Sequence, residues 1–311
     1  MTGITQRWMG QGNIVKASYN VGDRIAGALD ITRPILSTMG ALGVASAAAL
    51  AFGGFPAWGQ CLVGVVAALL AFAGIHAFND FVDQRRDVVC WPGRPIPAHR
   101  LTPRQGLLLA AGSFTVSLVI VWFAFNPACF AVSAVAIGLG CLYSAFLRDR
   151  VGYLVLPPIE GMLWLCGWAA FSPDTLLTSW APWLLWAFSA AWQAGHIMIY
   201  SPLHPISHVQ GVKLTQVPAL FKRTSPQTAT VIGFSFLCLA AAVGIYLGFY
   251  FHLGLLYLIP TALMAVVALV ISFRFMQDSE NFARGIQAFS FATYFMLVAR
   301  VFILLSVFLF F

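Results

Sequence analysis

The chain is short of charge, and of acid above all. Only 9% of its 311 residues are charged, and Asp and Glu together number 10. Soluble domains carry about 25% charged residues, so an ordinary soluble globular fold is excluded. Its six cysteines (Cys61, Cys90, Cys129, Cys141, Cys166 and Cys238) are scattered, with no Cys-x-x-Cys pair. That argues against a disulfide framework or a zinc site and for thiols that pack as small apolar groups. The first ~30 residues hold no continuous apolar core, so no cleavable leader is expected. Residues 13–30 read instead as an amphipathic surface helix.

What is present is apolar: 60% of residues are hydrophobic and the mean hydropathy is +0.85. This composition belongs to an integral membrane protein. Nine apolar runs can be drawn, over 34–53, 58–78, 105–125, 127–147, 151–171, 178–200, 228–250, 253–272 and 288–310. Each is near the ~20 residues that a bilayer requires.

Basic residues test the drawing. Sixteen of the 17 Lys and Arg flank the runs, and only Arg300 lies within one. The links after runs one, three, five and seven contain none. A bundle of nine transmembrane helices with a cytoplasmic N-terminus satisfies the positive-inside rule throughout. The net charge of +7 then reflects topology and attraction to anionic head groups or phosphates, and needs no nucleic-acid partner. The whole chain, 1–311, reads as one transmembrane domain with a cytoplasmic segment at 1–33. Two long cytoplasmic loops, 79–104 and 201–227, lie four spans apart, which points weakly to a repeated four-helix unit. Long loops in a compact bundle are usually functional.

The first loop opens with Asn79-Asp80-Phe81-Val82-Asp83-Gln84-Arg85-Arg86-Asp87. On a helix Asp80, Asp83 and Asp87 share one face at i, i+3 and i+7. Three carboxylates at a membrane boundary repel one another unless a cation neutralises them. Hard oxygen ligands suit Mg²⁺, which typically takes one or two carboxylates plus substrate phosphates. The segment therefore predicts a magnesium–diphosphate site. Downstream, Arg94-Pro95-Ile96-Pro97 and Arg100 are stiffened by prolines, and both arginines can face the carboxylates.

Asn-Asp-x-x-Asp-x-x-x-Asp followed by Arg-Pro-x-Pro resembles the first aspartate-rich motif of the UbiA-type intramembrane prenyltransferase superfamily. The resemblance implies a nine-helix bundle with a cytoplasm-facing cavity. It also implies Mg²⁺-dependent transfer of an isoprenoid from a polyprenyl diphosphate to a lipophilic, often aromatic acceptor. Asn79, Asp80, Asp83 and Asp87 would hold the metal. Thr32-Arg33-Pro34 looks like the family's opening segment, so Arg33 would contact the diphosphate; it reads equally as a positive-inside anchor. Tyr143-Ser144 with trailing Arg148 looks like the family's Tyr-Ser segment. Arg148 would then meet the leaving diphosphate, and Tyr143 would wall the allylic cation with its ring face or serve as an interfacial aromatic.

The second loop departs from the family. Gly211-Val212-Lys213 and Val217-Pro218 match, and Lys213 becomes a diphosphate ligand. The usual Asp-x-x-x-Asp is missing, and His204 and His208 stand near its place. Imidazole is a poor Mg²⁺ ligand; protonated, it would bind diphosphate directly, and both histidines also read as ordinary loop residues. Haem-farnesylating members of the superfamily lack the standard second motif too. A terpene cyclase using the same ionisation remains an alternative, as does a transporter or scaffold. Glu160, within run five, is costly in a membrane and predicts a functional or paired role, with Arg300 as candidate partner. His76, one turn before Asp80, reads as a ligand-side or a packed interior histidine.

Overall fold

The structure is a computed structural model and describes residues 20–152, 155–200 and 225–310. It is all-helical among those residues. A short α1 (Val21–Ile31) precedes nine longer helices: α2 (Pro34–Phe52), α3 (Trp58–Cys90), α4 (Pro103–Ala124), α5 (Pro127–Leu142), α6 (Leu156–Phe171), α7 (Ala181–Tyr200), α8 (Pro226–Tyr250), α9 (Gly254–Gln277) and α10 (Phe282–Phe310). Each expected apolar run has its helix. Among the described residues, seven stretches are long and apolar enough to cross a membrane: Val21–Phe52, Trp58–Cys90, Pro103–Ala124, Pro127–Leu147, Pro226–Tyr250, Gly254–Gln277 and Phe282–Phe310. The other two long helices, α6 and α7, are packed inside the bundle between α2, α5, α8 and α10.

Helix starts follow local chemistry. Pro34, Pro103, Pro127 and Pro226 each occupy a first-turn position, where a missing N–H costs nothing. Thr102 and Gln105 close a reciprocal capping box, as do Asn20 and Asp23. On α1, Val21, Ile25 and Leu29 are exposed in one stripe, the pattern of a helix lying at a membrane surface. Residues 13–19 of the expected amphipathic helix lie outside the described residues.

Small residues bring the helices together. A Cβ on Gly167 of α6 would sit 2.2 Å from the Val44 carbonyl of α2, and Gly195 of α7 and Gly233 of α8 each face the other's carbonyl. Such close approach is how membrane helices gain packing energy without a hydrophobic driving force. Polar ties cross other seams: Ser117 donates to the Ala67 carbonyl (2.7 Å), Trp192 to Ala292 (2.7 Å) and Tyr257 to Gly244 (2.8 Å). Large apolar side chains such as Trp58, Phe123 and Trp180 remain exposed, as lipid-facing positions require.

Of the boundaries that differ from the sequence reading, two shape the site. The segment expected as loop from 79 is helical as far as Cys90, where Trp91-Pro92-Gly93 stops it. At 1.5 Å per residue the 33 residues of α3 reach about 50 Å, well beyond the ~30 Å hydrocarbon core. The charged residues prolong the helix because their carboxylates turn inward instead of into water. The fifth run begins five residues late, at Leu156, and α6 has only 16 residues.

Candidate functional site

The site lies where the start of α2, the far end of α3, the linker after it and the end of α5 converge. Asp80, Asp83 and Asp87 project from one face of α3 and are 1%, 4% and 0% exposed. Buried carboxylates survive only when paired. Here four arginines from different elements pair them.

Arg33 precedes Pro34 in a left-handed backbone (φ 46°). This costs on the order of 1–3 kcal/mol for a non-glycine residue and clusters at functional sites. The twist aims its Nη2 at Asp80 Oδ1, and at Asn79 Oδ1 3.4 Å away. Arg94, in the proline-stiffened linker, donates to Asp87 Oδ2 (2.6 Å), lies 3.3 Å from Asp80 Oδ1 and covers the Trp91 ring at 5.5 Å. Burial pushes the Arg94 pKa down, but the carboxylates of Asp80, Asp87 and Asp83 outweigh it and hold it above its ordinary value. Arg148 forks onto Asp83 through both nitrogens, one at 2.6 Å to Oδ2. Arg86, one turn along α3, meets the same Oδ2.

Arg148 reaches Asp83 because α5 does not end regularly. Tyr143–Leu147 forms a π turn before Arg148–Arg150. The wider turn rotates the residues after it, a device common at functional sites. Tyr143 and Ser144 are buried in it, and Ser144 Oγ accepts from Asn79 Nδ2 at 3.5 Å. His76 Nε2 is buried with no hydrogen-bond partner.

The structure thus gathers seven of the expected site residues: Asn79, Asp80, Asp83, Asp87, Arg33, Arg94 and Arg148. It seats Tyr143 on the turn beside them. Arg100 does not face the carboxylates as expected. It pairs with Asp30 of α1 and donates to the Gly93 carbonyl, holding the linker in shape. Arg86 and Ser144 went unselected in the sequence. The i, i+3 spacing of Asp83 and Arg86 was the available signal for one, and the Tyr-Ser segment for the other. His204, His208 and Lys213 lie outside the described residues.

Among the described residues, no three His, Cys, Asp or Glu side chains form a group able to hold a metal ion alone. The donors nevertheless fit a hard cation that brings its own phosphate oxygens. All are carboxylate oxygens on one face, and buried Asp87 Oδ1 lacks any hydrogen-bond partner. Four guanidinium groups surround the three carboxylates, and guanidinium suits phosphate as well as carboxylate.

A second buried charge lies deeper. Arg300 of α10 is 1% exposed and its Nη2 is 3.6 Å from Glu160 Oε1 of α6, the partner anticipated for that carboxylate.

Known proteins share this architecture. Digeranylgeranylglyceryl phosphate synthase of Methanopyrus kandleri is 36% identical over 45% of this chain and 51% of its own length. Protoheme IX farnesyltransferase of Nitrosococcus oceani is 28% identical over 65% of this chain and 67% of its own. The chain therefore spans about half to two thirds of these relatives. Among solved structures, a UbiA homologue from Aeropyrum pernix superimposes with TM-score 0.69 at 18% identity, covering 86% of this chain and 97% of that one. A UbiA homologue from Archaeoglobus fulgidus bound to GPP and Mg²⁺ gives 0.53 at 13% identity, covering 89% and 99%. At such identities the likeness speaks for the fold. A family model supplies the rest, for it matches residues 40–309, nearly the entire bundle with its aspartate-rich helix. The chain is an integral membrane protein that belongs to the UbiA prenyltransferase family.

Proposed function

We propose that this protein transfers a prenyl group from a polyprenyl diphosphate to a lipophilic acceptor within the membrane. The observation that carries the reading is the cluster of three buried aspartates on one face of α3, held by arginines from four separate segments. A network of exchangeable ion pairs can trade carboxylates for phosphate oxygens without stranding a charge.

In this reading Asp80, Asp83 and Asp87, with Asn79 beside them, would hold Mg²⁺. The ion would neutralise charge on the diphosphate. Arg33, Arg94 and Arg148 turn from carboxylate to phosphate oxygens and stabilise the negative charge that grows as the C–O bond breaks. Preorganised charge of this kind is usually the largest catalytic contribution. Bidentate Arg148 suits phosphate as well as carboxylate. The Tyr143 ring face stabilises the allylic cation, and the apolar bundle shelters it from water. Lys213, His204 and His208 of the second long segment complete the diphosphate cradle. The whole chain acts as one domain, with its N-terminus and the aspartate-bearing mouth on the cytoplasmic side, as the distribution of Lys and Arg favours.

The test uses purified protein in detergent with geranylgeranyl diphosphate, with Mg²⁺ or with EDTA, and with or without lipid-soluble acceptors. Mg²⁺-dependent diphosphate release that requires an acceptor and yields a prenylated adduct supports the reading. Acceptor-independent release of a cyclic product replaces it with a cyclase. No release in any condition removes both.

A further inference from the structure

The Glu160–Arg300 pair lies within the bundle, away from the aspartate cluster. Arg300 donates to the Met39 carbonyl at 2.6 Å. Met39 is six residues along α2 from Arg33, about 9 Å beneath the mouth at 1.5 Å per residue. Glu160 lies in the first turns of α6, which starts just after the chain segment carrying Arg148. Both groups therefore occupy the level directly under the reacting centre proposed above.

The two partners are held very differently. Arg300 also approaches Ser189 Oγ (3.4 Å), and its guanidinium faces the rings of Trp164 (5.7 Å) and Trp192 (5.8 Å). Gly43 leaves room for it: a Cβ there would lie 3.2 Å from its guanidinium carbon. Arg300 is thus fixed by neutral groups. Glu160 has Arg300 as its one charged partner among the described residues, and only at 3.6 Å. Its side chain is 20% exposed, so one side of the carboxylate is left uncovered. Arg33 and Arg94 at the mouth are exposed to a similar degree, at 26% and 23%. Beside the pair, Arg300 Nε and Trp164 Nε1 are buried without hydrogen-bond partners.

We infer that Glu160, positioned by Arg300, is the hydrogen-bond acceptor for a hydroxyl on the lipophilic prenyl acceptor, and so selects hydroxylated acceptors over capped ones. The inference rests on the prenyl-transfer reading. An ionised carboxylate accepts and never donates, so the guest must supply the proton. A carboxylate anchored on one side and open on the other can make that bond without losing its counter-charge.

The experiment compares binding of radiolabelled 4-nonylphenol and 4-nonylanisole to the full chain in detergent, for wild type, Glu160→Gln, Glu160→Asp and Glu160→Leu. Geranylgeranyl diphosphate with Mg²⁺ is titrated in parallel. Wild type should favour the phenol by about tenfold, the size of a hydrogen bond to a charged group. Glu160→Leu should erase the preference, Glu160→Gln should reduce it and Glu160→Asp should keep part of it. All four should bind geranylgeranyl diphosphate alike, which also shows that they are folded. Equal phenol preference in wild type and Glu160→Leu, or none in wild type, overturns the subsite and leaves prenyl transfer standing. Failure of wild type to bind geranylgeranyl diphosphate overturns both.

Discussion

Two buried charge clusters divide this molecule. At the mouth, three aspartates and four arginines share partners: Arg94 touches two carboxylates, and Asp83 receives two arginines. In the interior one arginine is clamped by a backbone carbonyl, a serine and two indoles, and it reaches out to one loosely held glutamate. The first arrangement is redundant and can be rearranged by a guest. The second is asymmetric, with a fixed cation and a free-standing anion. A shared network suits binding and release of a charged group. A fixed cation suits holding one polar atom in an apolar space.

The largest test breaks the mouth. Asp83→Asn removes the carboxylate that joins α3 to α5 and leaves Arg148 and Arg86 without it. Loss of about 10³-fold in diphosphate release is expected, the scale of removing a principal electrostatic element. Steady-state release with geranylgeranyl diphosphate and an acceptor measures it. Near-normal turnover would mean that Asp83 only staples two helices.

Next comes the interior cation. Arg300→Met strands Glu160 in the bundle, and breaking a buried pair from one side costs about 3 kcal/mol or more. Thermal unfolding in detergent should register a large drop in Tm. If the protein unfolds at its usual temperature, Arg300 is not the fixed member of the pair.

Arg148→Lys is a milder probe of sharing. Lysine keeps the charge but cannot fork onto Asp83 or a phosphate. A fall in kcat/KM of about 10- to 100-fold, with little change in Tm, is expected, since a bidentate contact becomes a single one. Comparable kinetics for lysine and arginine would reduce the π turn to an accident of packing.

These features were legible in the sequence to different degrees. The helix count followed from apolar runs near 20 residues. Asp80, Asp83 and Asp87 stood out because acids are so scarce, and Arg33, Arg94 and Arg148 because they flank Pro-rich or Tyr-Ser segments. The extension of α3 to Cys90 was half visible: the three aspartates were set on one helical face, yet the segment from 79 was bounded as a loop, and inward-facing carboxylates satisfied by distant arginines let the helix continue. The π turn at Tyr143–Leu147 has no periodicity of its own. Arg100 was matched to the carboxylates by proximity in sequence; its true partner, Asp30, is 70 residues away. Pairing across such distances is set by packing, which local pattern does not encode.

The smallest expected effect sharpens the comparison most. Glu160→Gln replaces the free-standing anion with a neutral isostere. Arg300 keeps the Met39 carbonyl, Ser189 and both indoles, so its charge is not abandoned. The lost attraction acts across 3.6 Å at a carboxylate that is 20% exposed, which weakens it. A stability change of about 1 kcal/mol or less is expected, by analogy with exposed ion pairs. Set against Arg300→Met in the same unfolding assay, it measures the asymmetry directly. Equal losses from the two substitutions would show a mutually dependent pair, and a glutamate so committed would have no capacity left to hold a guest.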